Sequence, residues 1–380
     1  MTPLDSILKK FTTVSIEKAA LESPLAQRCF NLFPPEKIEV VEGKPTTFSK
    51  GHMSAEDYTL SKKRLFLTEH PGHFFKRCPG AKKGLACCNY YVLNLGQQCD
   101  MDCSYCYLQS FLNTPYTVIY TNLDKALSEL AEMYGSHSTS RVRVGTGEVV
   151  DSLSLDPLTN YSYALVDFFR EKPTWNLEFK TKSSYVENLL AIPASRNVIV
   201  SWSINPQYIV ETEEHGTATL ADRLNAAKKC LEHGYQIAFH IDPVIWHTHW
   251  KQNYLELAET IHSQFRPQDL PYISLGALRF QSEQRDIMRE RFGMNSWVTR
   301  AEMFKSTSGK MRYDQSLREE MFQTIIQKFK ELDPKWKIFL CMETPETWVN
   351  ATGELPYKQE NIRSLFKPLQ IERAETPTLN

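Results

Sequence analysis

The stretch Cys99-Asp100-Met101-Asp102-Cys103-Ser104-Tyr105-Cys106 places three thiols in eight residues, at the spacing C-x-x-x-C-x-x-C. It follows the run Asn89-Tyr90-Tyr91-Val92-Leu93-Asn94-Leu95, which reads as a strand. Three cysteines are one short of a closed metal site. A cubic four-iron cluster held by three thiolates instead keeps one iron free to bind something else. The spacing, the strand just upstream and the aromatic residue before Cys106 favour the cluster. Two readings compete with it: a zinc site completed by Cys87 or Cys88, and three small buried hydrophobes. Packing asks for no such periodicity, so the last is the weakest.

The 380 residues carry 42% apolar and 23% charged side chains, enough for a sizeable core in an ordinary water-exposed protein. A net charge of -1 gives no global drive toward nucleic acid or membrane. No run of eighteen apolar residues occurs, so no transmembrane helix is expected. Met1 to Ala20 has no apolar h-region and does not read as a secretory signal. Nine cysteines without a repeated framework do not resemble a secreted disulfide scaffold. A low-potential cluster also needs a reducing compartment, so cytoplasm is the expected location.

Residues 1–85 read as an irregular N-terminal region with short elements. From Asn89 onward strands and helices alternate. Strands are expected at Arg141–Val144, Asn176–Thr181, Asn197–Trp202, Tyr235–Ile241, Tyr272–Leu278 and Lys337–Met342. Helices are expected at Thr121–Tyr134, Tyr185–Ala191, Thr219–His233, Asn253–Phe265 and Leu317–Leu332. Thr219 with Asp222 forms a capping signal, and Gly234 is a suitable helix stop. Such alternation predicts parallel strands with right-handed crossovers. The fold class is therefore α/β: a partial (β/α)6-type barrel over residues 86–285, with a C-terminal α/β extension over 286–380. Chemistry in such folds gathers at the C-terminal ends of the strands. The cysteines sit at one such end, as do Glu148, Lys182, Ser203 and Asp242.

The run Cys99 to Leu108, with Lys182, Ser203-Ile204-Asn205-Pro206, Glu213 to Ala218, Arg223, Ala226-Ala227 and Gly234-Tyr235, resembles the spore photoproduct lyase family of radical SAM DNA-repair enzymes. Cys78-Pro79-Gly80 and Cys87-Cys88-Asn89-Tyr90 also look like that family. The cysteine motif alone is shared by the whole radical SAM superfamily; the Ser203 to Ala227 stretch is the family-specific part. The resemblance implies a 4Fe-4S cluster on Cys99, Cys103 and Cys106, with S-adenosylmethionine (SAM) on its open iron. It implies a 5′-deoxyadenosyl radical that attacks a thymine dimer in DNA, and an electron donor such as flavodoxin or ferredoxin. Lys182 and Ser203 match positions that contact SAM. Tyr105 and Tyr107 match two tyrosines that relay the radical; simple packing of the loop is their other reading.

One family feature is missing. The family carries a hydrogen-donating cysteine at the end of the second strand, and no cysteine occurs here from Gly145 to Thr159. Gly145-Thr146-Gly147-Glu148 instead resembles the glycine-rich SAM-binding element of other radical SAM enzymes. Glu148 suits the ammonium of SAM, and the glycines suit close backbone approach. Two alternatives therefore stand beside photoproduct repair: a radical SAM enzyme of a different substrate, and a zinc-stabilised nucleic-acid-binding protein without catalysis.

Lys62, Lys63, Arg64, Lys76, Arg77, Lys82 and Lys83 interleave with His70, His73, Phe74 and Phe75. Clustered positive charge with aromatics reads as a phosphate-contact surface or as a solvated basic face. His240, His247 and His249 with Asp242 form a weak metal signal, and packing is the better reading. Arg279 reads equally as an anion contact or one half of an ion pair.

Overall fold

The computed structural model describes residues 2–43, 53–80, 84–306 and 309–356. Three short strands come first: β1 (Thr13–Glu17), β2 (Ile38–Val41) and β3 (Arg64–Thr68). Around the cysteines lie β4 (Phe75–Arg77), β5 (Tyr91–Leu93), β6 (Gly96–Gln97), β7 (Asp102–Cys103) and β8 (Thr117–Tyr120). Then follow β9 (Val142–Gly145), β10 (Trp175–Thr181), β11 (Val198–Ser203), β12 (Glu214–His215), β13 (Gln236–Val244) and β14 (Ile273–Ala277). The C-terminal part adds β15 (Arg279–Phe280), β16 (Phe304–Lys305), β17 (Met311–Arg312) and β18 (Ile338–Leu340).

The main sheet has the order β18-β14-β13-β11-β10-β9-β5-β4 and curls into a half-barrel. All its pairings are parallel except β4 with β5. The six expected strands up to β14 are all present, and β18 adds a seventh in the same direction. The outward residues of the strands are apolar because helices cover that face. Leu177 and Phe179 on β10, Val198 and Val200 on β11 and Ile237 and Phe239 on β13 are all buried. The helix Leu220–His233 begins where Thr219 accepts a bond from the Asp222 amide and ends at Gly234, whose φ is +108°.

The N-terminal region is more regular than its sequence suggests. β1, β2, β3 and β8 pair in parallel, with β6 antiparallel on β8, in a five-stranded sheet. Ile7, Phe11, Val14, Ile16, Leu25, Phe33, Leu65, Leu67 and Ile119 form its own core. Its strands lie far apart in the chain, so no local pattern announces the sheet. The second sheet holds residues on both sides of the cysteine motif, which places the motif where the two sheets meet. Among the described residues no helix is long and apolar enough to cross a membrane.

The inner face of the half-barrel is polar. Glu178 on β10 is fully buried and meets Arg143 on β9 at 3.2 Å and His240 on β13 at 2.7 Å. Ser201 on β11 donates to the same carboxylate at 2.8 Å. Tyr90 and Tyr272 lie 4.7 and 4.9 Å from the Arg143 guanidinium. His240 is thus a core histidine with a carboxylate partner, and His247 is bonded to Ile245 and Asn253. Arg279 is ion-paired with Asp242 at 3.1 Å.

Burial alone would raise the Glu178 carboxyl; Arg143 and His240 overcome that and hold it well below the usual carboxylate range. Burial, with Lys180 nearby, lowers His240 to about 4 from 6.5. Both groups bind protons more readily when the chain is unfolded, so stability rises with pH across their range. Acidification from pH 6.5 toward 4 is expected to remove on the order of 3 kcal/mol through His240. Loss through Glu178 follows as pH falls below the ordinary glutamate value. Urea midpoints across this range check the slope, and His240→Gln should flatten it.

Candidate active site

The segment Cys99–Cys106 has one two-residue strand, β7, and otherwise takes its shape from side chains that grip it. β7 pairs with β12, which sets Cys103 opposite Glu214. Lys10 donates to the Asp100 carboxylate at 2.7 Å. Lys62 donates to the carbonyls of Cys99 at 2.8 Å and Met101 at 2.6 Å. Arg291 places two bonds of 2.9 Å on the Asp102 carboxylate. Ser104 is held by Glu213, and Gln284 donates to the carbonyls of Tyr105 and Cys106 at 3.2 and 3.1 Å. Gln98, just before the loop, has φ +74° and is fully buried, with its amide on Ser61 at 2.9 Å.

Cys99 and Cys106 pack against an apolar cluster of Met53, Tyr58, Leu108, Leu112 and Val149. Cys103 is buried beside Lys182. Burial pushes the Cys103 thiol up to about 12, against a lowering by Lys182; burial, with Asp100 and Asp151 nearby, pushes Cys99 up as well, against a lowering by Lys62. Without metal these groups are thiols; a bound metal would deprotonate them outright. Three soft donors in one loop, apolar packing against two of them and neighbouring ammonium groups fit an iron–sulfur cluster. Among the described residues no three His, Cys, Asp or Glu side chains converge on a single-ion position. Cys87 and Cys88 are engaged elsewhere: Cys87 accepts from the Asn89 amide, and Cys88 accepts from Arg143 at 3.1 Å.

The expected SAM contacts line the same end of the sheet. Lys182, just past β10, donates to Ser203 Oγ at 2.9 Å, and its backbone amide donates to Asp151 at 2.7 Å. Burial would lower the Lys182 ammonium, but Glu214 and Cys103 raise it, so it stays protonated. Glu148 pairs with Lys76 at 3.1 Å, and Asn94 bridges the two. Thr146 donates to Ser152 at 2.8 Å. The glycines have packing reasons of their own. A Cβ on Gly145 would lie 1.4 Å from the Tyr90 hydroxyl, and one on Gly147 would lie 2.8 Å from the Lys180 carbonyl.

The two tyrosines diverge. Tyr105 is buried and donates to Glu214. Tyr107 is 37% exposed, donates to the Glu148 carbonyl at 2.9 Å and lies 5.8 Å from the exposed ring of Phe111. Behind Tyr105 sits a network that sequence reading did not assemble. Glu214 meets Arg223 at 2.6 Å, and Asn205 donates to Glu214 at 2.9 Å. Tyr254 donates to Asn205 at 2.9 Å. Glu214 and Arg223 stood in the resembling stretch as family letters only. Asp151, which accepts from Leu153, Ser154, Thr181 and Lys182, had no signal at all.

The basic segment divides. Lys62 is buried under the cysteine loop and offers nothing to an outside phosphate. Lys76 faces Glu148, and Arg77 donates to Asn89 at 3.0 Å. Lys63 is exposed and Arg64 half-buried. Lys82 and Lys83 lie outside the described residues.

A family description, SPL: Spore photoproduct lyase, matches residues 10–339. The spore photoproduct lyase of Geobacillus sp. (strain Y412MC61) is 26% identical over 286 residues, 73% of this chain and 82% of that protein. That of Clostridium acetobutylicum is 28% identical, over 69% of this chain and 77% of that protein. A solved spore photoproduct lyase complexed with dinucleoside spore photoproduct superposes with a TM-score of 0.74 at 23% identity. It covers 87% of this chain and 98% of the solved one, and it shares the fold.

Arg223 and Glu214 have no solvent exposure at their side chains. Glu214→Ala would leave a buried guanidinium without its counter-charge, at a cost of about 3–5 kcal/mol. Urea denaturation of the metal-free protein measures this, and Glu214→Gln should lose less.

Proposed function

The chain belongs to the spore photoproduct lyase family, and from that premise we propose that it is a radical SAM lyase that opens a photoproduct in DNA. The observation that carries this reading is convergence: the cysteine loop, Lys182, Ser203 and Glu148 meet at the C-terminal ends of one curled sheet. Cys99, Cys103 and Cys106 would hold the 4Fe-4S cluster. When bound, the cluster supplies an electron that splits SAM into methionine and a 5′-deoxyadenosyl radical.

The protein's own work is orientation. Lys182 and Ser203 offer an ammonium and a hydroxyl to the carboxylate of SAM. Glu148 offers a carboxylate to its amine once Lys76 yields. Gly145 and Gly147 let Tyr90 and the β10 backbone pack into that wall, and Thr146 is tied to Ser152. Tyr105, locked on Glu214, stiffens the loop behind the cluster, and Tyr107 stands at the mouth with Phe111, where a base can stack. Among the described residues of the basic segment, Lys63 and Arg64 are the ones left to meet phosphates. A flavodoxin or ferredoxin would supply the electron.

One observation favours a second reading, a radical SAM enzyme of another substrate. The segment Gly145–Thr159 has no cysteine, and the space beside Gly145 is filled by Tyr90. The assay separates the two. Protein reconstituted and reduced without oxygen is given SAM and dinucleoside spore photoproduct. Repair is expected to yield separated thymines, with 5′-deoxyadenosine carrying deuterium from a labelled substrate. SAM cleavage without repair selects the second reading; a colourless, zinc-loaded protein discards both. Cys103→Ala should abolish SAM cleavage with little change in circular dichroism. Lys182→Ala should weaken SAM binding by about tenfold to a hundredfold, the worth of a charge-assisted hydrogen bond.

A further inference from the structure

We infer that Lys62 is an electrostatic positioning residue: it clamps the first turn of the cysteine loop and makes a cluster held there easier to reduce. The inference rests on the cluster assignment proposed above.

Lys62 does not belong to the half-barrel. It follows the helix Ala55–Ser61 and precedes β3, in the N-terminal sheet region. Its side chain is 6% exposed. The ammonium donates to Cys99 O and Met101 O, lies 3.5 Å from the Tyr58 hydroxyl and sits 4.5 Å from that ring. Lysine is almost never buried unless paired. Two carbonyls could be satisfied by a neutral amide, so the ammonium adds charge as well as hydrogen bonds.

The carboxylate that faces that charge is shared with another cation. The nearest carboxylate, Asp102, is 3.8 Å away and already takes both bonds from Arg291. Asp100 is held by Lys10 and Ser154. On this face three cations, Lys10, Lys62 and Arg291, stand beside Asp100 and Asp102, and Asp151 also acts on Cys99. The opposite side carries Lys182 and Arg223 with Glu214, and Glu213 is bonded to Ser104. Reduction of the cluster takes one electron from a low-potential one-electron donor, breaks no bond and adds one negative charge. A fixed positive charge in a buried site stabilises the state with more negative charge. Net charge and hydrogen bonding are the levers by which a protein sets such potentials.

The test is a redox titration followed by electron paramagnetic resonance on reconstituted full-length protein. Lys62→Gln keeps donors for the carbonyls and removes the charge; Lys62→Arg keeps the charge. With a full iron complement, Lys62→Gln should titrate at a more negative midpoint. At the poise that half-reduces the wild type, its reduced-to-oxidised ratio should fall by about tenfold. Lys62→Arg should stay near the wild type. Asp102→Asn should move the midpoint the opposite way, which keeps the inference testable if Lys62→Gln does not assemble. Iron-loaded Lys62→Gln at the wild-type midpoint, or Asp102→Asn shifted negative, would overturn the inference alone. Wild-type protein that takes up no iron would overturn it together with the proposed function.

Discussion

The cysteine loop has too little backbone pairing to hold its own shape, and the rest of the structure exists around that fact. Its polar groups are satisfied by Lys10, Lys62, Glu213, Gln284 and Arg291, drawn from four separate parts of the chain. Buried polar groups must be paired or they destabilise the fold. The same bonds therefore stabilise the fold and orient three thiols. Because the grips come from two helices of the N-terminal region, from the helix Gln207–Glu213 and from the helix Gln284–Phe292, the loop takes its form only when these parts have assembled.

The half-barrel repeats this logic on its inner wall. An apolar interior would be more stable than Arg143, Glu178 and His240 with their desolvation cost. A polar wall, however, ties β9, β10, β11 and β13 together in one register through a single carboxylate. A shift of one residue on any of these strands would turn its partner outward and strand a buried charge. The wall thus fixes the strand ends where Lys182, Ser203 and Asp242 stand.

Much of this was legible in sequence, and the boundary of legibility has physical causes. The strands of the half-barrel announce themselves by β-branched and aromatic residues on the face that helices cover. Thr219 and Gly234 mark their helix because capping is a local matter. The cysteine spacing is local too. What failed to show were pairings between distant segments. β1, β3 and β8 are short, and the helix Tyr161–Arg170 passed unread between two expected strands. Asp151 and Glu178 are single acids in ordinary surroundings; only the fold turns them into hubs. Lys62 was read as one charge among seven in a basic segment, and composition cannot tell a lysine that faces water from one that faces a carbonyl.

Gly145 and Gly147 sharpen the same lesson about the missing thiol. In sequence they read as room left for a cofactor. In the fold each is small because another part of the protein needs the space, Tyr90 in one case and the β10 backbone in the other. Tyr90 in turn stacks its ring against Arg143, the partner of Glu178. A larger side chain at position 145, a cysteine included, would push that tyrosine off the guanidinium and disturb the wall beneath the site. The absence of a cysteine at that position is therefore part of the packing of this half-barrel, and a single substitution to restore one would have to move the wall with it.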